Sequence, residues 1–526
     1  MKNKLFEAAK ACDNDALTEN GAKACLSTLD KVLDLFFKGS SYRSNPSGLP
    51  QLVRDAYNAD KELTLKCLFY LRDIRGNGGQ GERTVFRKGI REIAELDADV
   101  FTKNNLLPLI PFFGRWDDLF CLLGVSTELD KAVFSLVKSQ FDADLKSVES
   151  GNQSVSLLAK WLPSCNTSSP KTKELGKIFR KALGYTEKEY RKALSLLRKH
   201  IDIIETHITN KDYTFDYSKV PSCASLKYVK CFNKNDGERF HEHIDAVKEA
   251  LKSGKTGKGV PKDNVKALYP YEIIKGVIKS IFDECGHYFR LDVSDNEERQ
   301  RLDNLWRQLP NLFGEKSKDK NWLAVVDTSG SMLSNVYKSS VLPIEVAISL
   351  GIYISEHNHG IFKDKYITFS NTPKFIEFDG EWPLYKKVQE VLNHSIIDDT
   401  NISAVFSLVL NAAVKHHIPV EDMPETIVII SDMQFNEMVS DADSESGHEM
   451  IKRKYKESGY PLPKIVYWNA STNVYDNVPI TKDEKGTVMI GGCSPGLFDA
   501  VMQSATPIEF MELVLNGERY EAVKVS

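Results

Sequence analysis

The hydrophobic pattern of this 526-residue sequence changes near residue 320. Up to about residue 315, apolar residues recur at helical spacing in segments separated by Gly, Pro, Asn or Ser. In the clearest case, Thr186 and Glu189 have the capping-box spacing, and an apolar stripe from Tyr190 to Ile204 follows in steps of three and four residues. Such helices bury only one face, so a long series of them favours a stacked array of helix pairs over a single bundle. Residues 1–318 are therefore predicted to form an all-α helical-repeat domain.

Residues 319–526 follow a different pattern, which begins after the charged stretch 314–321. Short apolar runs without polar alternation occur there, with segments of helical periodicity between them. Strands of this kind are covered on both faces, so the alternation predicts a doubly wound, mainly parallel, Rossmann-like α/β domain. We expect this domain to have its own core, so that a cut near Lys318 would leave a folded fragment. The predicted strands are 322–326, 366–369, 426–430, 465–468 and 487–490.

The composition is typical of a globular protein. Hydrophobic residues make up 42% of the chain and charged residues 27%. No apolar stretch approaches the ~18 residues of a membrane span, and the first residues lack the apolar core of a signal peptide. The nine cysteines are scattered and include no C-x-x-C pair, which argues against a disulfide framework or a zinc site. These features predict a cytoplasmic protein with no membrane partner.

The net charge of −4 conceals two regions of opposite sign. Residues 1–320 contain 53 Lys and Arg against 45 Asp and Glu, which gives +8. Residues 321–526 contain 16 against 28, which gives −12. This asymmetry predicts different partners for the two regions.

Oxygen-bearing side chains follow several of the predicted strands. Asp327, Ser329 and Ser331 leave the first strand in LAVVDTSGSM, Asp432 follows another in TIVIISDMQF, and Thr400 precedes a helix in DDTNIS. Carboxyl ends of parallel strands share one edge, so these groups should meet there as an oxygen-only set suited to Mg²⁺ or another divalent cation. With two acids only, a coordination position would remain for water or for an acidic group on a partner. The competing interpretation is that the hydroxyls cap helices and that Asp432 simply ends a strand.

The motif gives this region a resemblance to a known family. Residues from about 320 to 526 resemble a von Willebrand factor A domain with a metal-ion-dependent adhesion site (MIDAS). Asp327, Ser329 and Ser331 match its DxSxS motif, with Thr400 and Asp432 completing the pattern. Two departures stand out: DDT lacks the Gly that many members have before the threonine, and SDMQF replaces the commoner acid-glycine ending.

A helical array followed by an A domain further resembles the TROVE (Ro autoantigen) proteins and a related, mostly uncharacterised family. The resemblance to the uncharacterised family rests on YLRDIRGNGGQGER (70–83), GRWDDLF (114–120), KWLPS (160–164) and DYSKVPSCA (216–224). The resemblance to Ro rests on architecture. It implies HEAT-like repeats that close into a ring around structured or single-stranded RNA, bridged by the A domain.

The segment 171–200 is a candidate RNA-binding surface, because it contains ten Lys or Arg and three acids. Positive charge interleaved with Phe179, Tyr185 and Tyr190 suits a phosphate backbone with some stacking. A solvated surface whose aromatic residues point into the core explains the pattern equally well. The basic residues proposed for RNA contact are Lys177, Arg180, Lys181, Arg191 and Lys192.

A second candidate is the glycine-rich loop 76–81, which is surrounded by Arg72, Arg75, Arg83 and Arg87. Open backbone amides beside arginines can hold a phosphate. The same residues also fit a flexible turn between helices with surface charges.

These features predict a non-enzymatic, RNA-binding ribonucleoprotein of Ro type. Its helical array would bind RNA, and its A domain would bind Mg²⁺ and an acidic protein partner. The alternative is a metal-dependent protein-interaction scaffold without physiological RNA binding, and a third, weaker hypothesis is a Mg²⁺-dependent nuclease. No Ser/His/Asp or Cys/His spacing indicates catalysis.

Overall fold

The computed structural model describes residues 14–76, 78–151, 155–283, 286–291, 295–333, 339–395, 400–435 and 447–526. The described chain begins with a helix-rich region and continues into an α/β domain. The helices of the first region are α1 (Lys31–Lys38), α2 (Leu49–Ala59), α3 (Lys61–Arg72), α4 (Arg83–Leu96), α5 (Asp99–Lys103), α6 (Leu109–Phe113), α7 (Thr127–Glu149), α8 (Leu158–Trp161), α9 (Pro170–Leu183), α10 (Glu187–Ile201), α11 (Ile204–Asn210), α12 (Ser222–Lys227), α13 (Val229–Lys252), α14 (Pro270–Val277) and α15 (Asn296–Arg307).

Side-chain caps set the ends of several of these helices. The Asp30 carboxylate accepts the first free amides of α1, and the Ser126 hydroxyl accepts an amide of α7. Helix α10 begins with the capping box of Thr186 and Glu189, as its sequence spacing predicts. Gly184 ends α9 in the left-handed conformation at φ 81°. Local sequence therefore fixes helix boundaries in this region.

The helix-rich region also contains two short antiparallel hairpins, which corrects the prediction of an all-α region. The first pairs β1 (Asp15–Leu17) with β2 (Lys23–Cys25), and the second pairs β3 (Ile278–Asp283) with β4 (Gly286–Leu291). Strands β1 and β2 have three residues each, which is too short to show a period of two. Part of their pairing is long-range, since Cys25 forms a β-bridge with Val478.

The α/β domain is built on a six-stranded mixed sheet of order β10-β9-β8-β5-β6-β7. All neighbouring strands are parallel except β7, which is antiparallel to β6. The central strands are apolar and buried on both faces, as expected of a sheet with helices on each side. The strands are β5 (Trp322–Asp327), β6 (Lys365–Phe369), β7 (Phe375–Glu377), β8 (Thr426–Ser431), β9 (Lys464–Asn469) and β10 (Thr487–Gly491), and the helices are α16 (Pro343–His357), α17 (Leu384–Asn393), α18 (Ile402–His416), α19 (Gly447–Ser458), α20 (Phe498–Gln503) and α21 (Pro507–Leu515).

The strand order reverses between β5 and β8. The chain leaves β5 toward β6 on one side, whereas it leaves β8 toward β9 and β10 on the other. A crevice opens at such a switch point beyond the carboxyl ends of the two strands, and it is the usual ligand position in open α/β sheets. The loops that begin at residues 328 and 432 lie at this position.

The two regions share one continuous hydrophobic core. The carbonyl of Phe37 at the end of α1 lies so close to Gly491 of β10 that a Cβ there would sit 2.1 Å from the oxygen. Near the C-terminus, Arg519 pairs with the buried Asp73 that follows α3, at 2.7 and 2.9 Å. A cut near Lys318 would therefore expose a large apolar face, and the expectation of an independently folded fragment does not follow from this packing.

None of the helices in the described ranges is long and apolar enough to cross a membrane.

Candidate metal centre and basic surfaces

Two acids lie at the carboxyl ends of the neighbouring strands β5 and β8. Asp327 is the last residue of β5, and Asp432 directly follows Ser431, the last residue of β8. Oδ1 of Asp327 accepts the amide of Ser329 at 2.9 Å, and Oδ2 accepts the hydroxyl of Ser431 at 2.6 Å. These bonds fix the orientation of the Asp327 carboxylate at the switch point.

The hydroxyl groups predicted as metal ligands also gather at this edge. The Ser329 and Ser331 hydroxyls are 3.1 Å apart in the loop after β5. The Thr400 hydroxyl donates to the carbonyl of Gln434 at 3.1 Å, which joins its loop to the loop after β8. The N-cap of α18 is Asn401, so Thr400 is not needed as a cap. Asp398 and Asp399, which precede Thr400, lie outside the described residues.

Both carboxylates are fully enclosed. Asp327 is 0% exposed and Asp432 is 1% exposed. Burial raises the pKa of Asp327, and burial together with the neighbouring Asp327 raises the pKa of Asp432 to about 7. Oδ1 of Asp432 accepts the Gln434 amide at 3.1 Å, whereas its buried Oδ2 has no hydrogen-bond partner in the part of the chain that the structure describes. An unpaired buried carboxylate oxygen is costly unless a proton or a cation neutralises it.

Further buried oxygens at the same edge have no hydrogen-bond partner within the described ranges. They are Ser370 Oγ after β6, and Thr472 Oγ1 and Asn473 Oδ1 after β9. Buried polar groups are normally satisfied, so an edge that concentrates such atoms is suited to an ion or to ordered water. No group of three or more His, Cys, Asp or Glu forms a metal-type cluster within the described ranges. Among the described residues, the side chains predicted as ligands at this edge are therefore hydroxyls and two acids.

The loop after β8 holds a strained residue at the second departure from the MIDAS pattern. Met433 has φ 67°, a left-handed conformation that glycine adopts without cost. Its side chain is buried, and its amide donates to Ser431 Oγ at 3.1 Å. A non-glycine residue in this conformation has a strain cost of about 1 kcal/mol or more.

The N-terminal hairpin packs onto this loop through Gln434. The Glu19 amide donates to Gln434 Oε1 at 2.8 Å, and the Asn20 side chain donates to the Gln434 carbonyl at 2.7 Å. The Glu19 carboxylate is close enough to contribute to the raised pKa of Asp432, after burial and Asp327. An acidic group of the chain itself thus lies beside the candidate metal centre.

The four arginines around the glycine-rich loop have different environments. Arg72 is 2% exposed and pairs with Asp118 at 2.8 Å, so it offers almost no surface to RNA. Arg87 pairs with Asp117 and Asp118, both at 2.6 Å. These contacts favour structural roles for Arg72 and Arg87. Arg75 and Arg83 are exposed and form no ion pair within the described ranges.

The loop itself does not present an open set of amides. The Arg75 and Gly76 amides donate to Asp73 Oδ1, and the Gly79, Gln80 and Glu82 amides donate to backbone carbonyls. Cβ atoms at Gly76 and Gly79 would collide with Asp73. The glycines therefore let the loop wrap around Asp73, and a backbone phosphate cradle is not supported by these contacts.

The candidate RNA residues in 171–200 lie on two helices, α9 and α10. Lys181, Arg191 and Lys192 are exposed, and Lys177 pairs with Glu174 at 3.2 Å. Arg180 is half-buried, and it donates to the Tyr185 carbonyl at 3.1 Å. Phe179 and Tyr190 are fully buried, and Tyr185 packs against Phe141. Phe179 and Tyr190 therefore belong to the core, and Tyr185 is half-buried against it.

Sequence reasoning missed several residues that organise these sites. Ser431 orients Asp327, Gln434 joins three segments, and Asp73 anchors both the glycine loop and Arg519. Ser431 directly precedes Asp432 in SDMQF, and this position was the available sequence signal for its role. Nothing in the sequence links Asp73 to a residue more than four hundred positions away.

Comparison with known proteins gives two family matches. The description "Domain of unknown function (DUF7788)" applies to residues 321–523, and "Domain of unknown function (DUF2828)" applies to residues 18–95 and 128–318. The chain is also similar to Uncharacterized protein L728 of Acanthamoeba polyphaga mimivirus, at 28% identity over 519 residues, which covers 93% of this chain and 85% of that protein. Since the DUF2828 match spans just over half of the residues, the chain belongs to the DUF2828 family.

Proposed function

We propose that this protein is a non-enzymatic binding protein that holds a divalent cation, most simply Mg²⁺, at the carboxyl edge of its sheet. The α/β domain would be a von Willebrand factor A domain, and Asp327, Ser329, Ser331, Thr400 and Asp432 would form its MIDAS. The observation that carries this proposal is the buried Oδ2 of Asp432, which has no hydrogen-bond partner among the described residues although a second buried carboxylate lies beside it.

The donor set fits a hard cation, because it consists of carboxylate and hydroxyl oxygens only. Two carboxylates would balance the charge of a divalent ion, and neutral hydroxyls would leave it able to attract a further anionic ligand. An acidic side chain of a protein partner would supply that ligand. The six-stranded mixed sheet, with these residues at its switch point, supports the A-domain assignment.

Acetate, the smallest carboxylate probe, tests this function in the full-length protein. With Mn²⁺ as a paramagnetic substitute for Mg²⁺, we expect the relaxation of the acetate methyl protons to be faster in the presence of the protein. Methylammonium, of similar size and opposite charge, should show no such effect. Asp327→Ala should remove the enhancement. Equal acetate relaxation with the wild type and with Asp327→Ala would contradict the proposal.

A second function, RNA binding by the helix-rich region, is favoured by the exposed basic residues of α9 and α10. In a Ro-like protein, HEAT-like repeats would present this surface to RNA. Lys181, Arg191 and Lys192 are available for phosphate contacts, since they are exposed and form no ion pair within the described ranges. Their charge suits sequence-independent backbone binding rather than stacking, because the neighbouring aromatic residues are buried.

The salt dependence of RNA affinity tests this second function. Replacing Lys181, Arg191 and Lys192 with Ala should weaken binding and reduce the slope of log affinity against log salt by about 2, since each lost phosphate contact on a single strand removes about 0.7. Replacing Lys255, Lys258 and Lys262 removes the same charge from another exposed segment and should leave the slope unchanged. Equal effects of the two triple variants, or no RNA binding by the wild type, would favour a metal-dependent protein scaffold. RNA cleavage on addition of Mg²⁺ would favour the nuclease hypothesis.

A further inference from the structure

A cavity of about 480 Å³ lies between the helix-rich region and the α/β domain. Its walls come from the glycine-rich loop after α3, the segment that leads into α14, the residues just before α16 and the loop after β10. The volume is in the range of small-molecule sites, and such sites often lie between domains. The metal ligands proposed above are not among the residues that line it.

The charges on the cavity wall are mainly positive. Two acidic residues, Glu82 and Glu272, line it together with six basic ones. Burial raises the pKa of both acids, and it raises that of Glu82 to about 7 against the opposing charges of Arg43 and Arg72. The basic residues are Arg43, Arg72, Arg75, Arg83, Arg115 and Lys266.

Three of these basic residues are held by acids of the protein. Arg43 pairs with Glu82 at 2.7 Å, Arg72 pairs with Asp118 at 2.8 Å, and Arg115 pairs with Asp117 at 2.6 Å. A cation–π contact also holds Arg115, because its guanidinium lies 3.6 Å from the centre of the Trp161 ring. These contacts give the cavity a rigid basic wall.

The other three, Arg75, Arg83 and Lys266, form no ion pair within the described ranges. Burial, then the neighbouring Arg115 and Arg87, lowers the pKa of Arg83, against the opposing charge of Asp117. Arginines without acidic partners that share a cavity repel one another, and an anion removes that cost.

The cavity also offers an apolar wall. The rings of Tyr269 and Tyr271 lie nearly parallel, with centroids 6.1 Å apart, and the Tyr269 hydroxyl donates to the Gly79 carbonyl at 3.0 Å. Both tyrosines line the cavity. A ligand that carries an organic group next to its charge fits this combination better than a bare anion.

We propose that this cavity binds a phosphate monoester, with Arg75 and Arg83 donating hydrogen bonds to the phosphate oxygens and Arg115 adding positive charge. A phosphate monoester carries close to two negative charges and three free oxygens, so it can engage two guanidinium groups at once, which supports this ligand class over a monocarboxylate. One source of this ligand is the phosphorylated end of an RNA chain, and this source rests on the RNA-binding function proposed above. A free nucleotide is the other source.

Calorimetry of the full-length protein with EDTA present tests the proposal and keeps the metal centre out of the measurement. The probes are adenosine monophosphate, adenosine, inorganic phosphate, and one short oligoribonucleotide with a phosphorylated or a hydroxyl 5′ end. We expect adenosine monophosphate to bind more tightly than inorganic phosphate, and adenosine to bind least. A stronger affinity for the phosphorylated oligonucleotide than for its hydroxyl form would identify a chain end as the ligand, whereas binding of the mononucleotide alone would identify a free nucleotide.

Arg83→Gln is the matched substitution, because Arg83 is exposed and its loss breaks no ion pair. It should reduce affinity for the phosphate probes at least about tenfold, as expected for a lost charge-assisted hydrogen bond. Lys88→Gln removes a charge from an exposed position of α4 outside the cavity and should have no effect. Equal binding by wild type and Arg83→Gln, or equal losses in both variants, would overturn the cavity proposal. In that case a reduced salt slope in the Lys181, Arg191 and Lys192 triple variant would still support RNA binding by the helix-rich region.

Discussion

The Ser431 hydroxyl donates a 2.6 Å hydrogen bond to Oδ2 of Asp327, and this bond joins the carboxyl ends of β8 and β5. The two residues are 104 positions apart in the chain and both are 0% exposed. Ser431 Oγ also accepts the amide of the strained Met433. One hydroxyl therefore orients the first carboxylate of the candidate metal centre and supports the loop that carries the second.

Ser431→Ala should lower Mg²⁺ affinity by about ten- to a hundredfold, although Ser431 is not a proposed ligand. Groups that orient metal ligands typically have effects of this size. Calorimetric titration of the variant with Mg²⁺ measures the change. Ser355→Ala is the control, because it removes another buried hydroxyl of the same domain whose hydrogen bond lies within α16. If both variants bind Mg²⁺ like the wild type, Ser431 has no orienting role.

Gln434→Ala should release the N-terminal hairpin from the α/β domain. The substitution removes the acceptor of the Glu19 amide and the donor to Asn477, a loss of about 1–2 kcal/mol. Hydrogen exchange of the amides in 18–25 should accelerate, whereas exchange in β5 should not change. Gln503→Ala, which removes a surface side chain, is the control. Unaltered exchange in the hairpin would show that other contacts hold it.

Arg519→Ala should destabilise the whole chain rather than its C-terminus alone. Asp73 is 0% exposed, so losing its partner leaves a buried carboxylate without a cation, at a cost of about 2 kcal/mol or more. Urea unfolding measures this, and Asp73→Asn combined with Arg519→Ala should recover part of the loss. Lys103→Ala breaks an exposed ion pair with Asp99 and should change stability little. If Arg519→Ala loses no more unfolding free energy than Lys103→Ala, the result would contradict a shared core of the two regions.

Glu345 should make stability depend on pH. Burial raises its pKa from an ordinary 4.5 to about 7, against the opposing Leu342 amide bond and Lys275. Between these values Glu345 keeps its proton in the folded protein, whereas the unfolded chain has released it. The contribution of Glu345 to the free energy of unfolding is therefore complete below pH 4.5 and is lost as the pH rises to 7. The loss is at most about 3 kcal/mol.

Glu345→Gln should therefore show a flatter decline of unfolding free energy across that window than the wild type. Urea unfolding at a series of pH values measures the difference. Glu512→Gln removes an exposed carboxyl and should follow the wild type. Parallel curves for wild type and Glu345→Gln would show that Glu345 ionises at its ordinary pH in the folded protein.

Local patterns were sufficient to predict most of the secondary structure. Capping boxes such as that of Thr186, and fully apolar runs such as residues 322–326, specify their elements through nearby residues alone. Because parallel strands end at one edge, the same runs also predicted which residues would gather there. The hairpin of β1 and β2 was not predicted. Its strands are too short to show a pattern, and Cys25 of β2 pairs with the distant Val478.

The relation between the two regions could not be predicted in this way. A change of pattern near residue 320 suggested separate cores, but Phe37 packs on Gly491 and Asp73 pairs with Arg519 across that boundary. Contacts between distant segments leave no periodic signal. The ion pairs of the basic residues could not be predicted either. The sequence alone does not show that Arg72 pairs with Asp118 whereas Arg83 forms no ion pair within the described ranges.

Asp432 is the residue that tests the metal centre most directly. Asp432→Asn keeps the size of the side chain and removes the charge of the carboxylate whose Oδ2 lacks a partner among the residues that the structure describes. Glu421→Gln, an exposed acid before the opposite end of β8, is the matched control. In a calorimetric titration of the full-length chain, we predict one Mg²⁺ site in the wild type and in Glu421→Gln, and none in Asp432→Asn. No Mg²⁺ binding by the wild type, or undiminished binding by Asp432→Asn, would contradict a metal centre at this edge of the sheet.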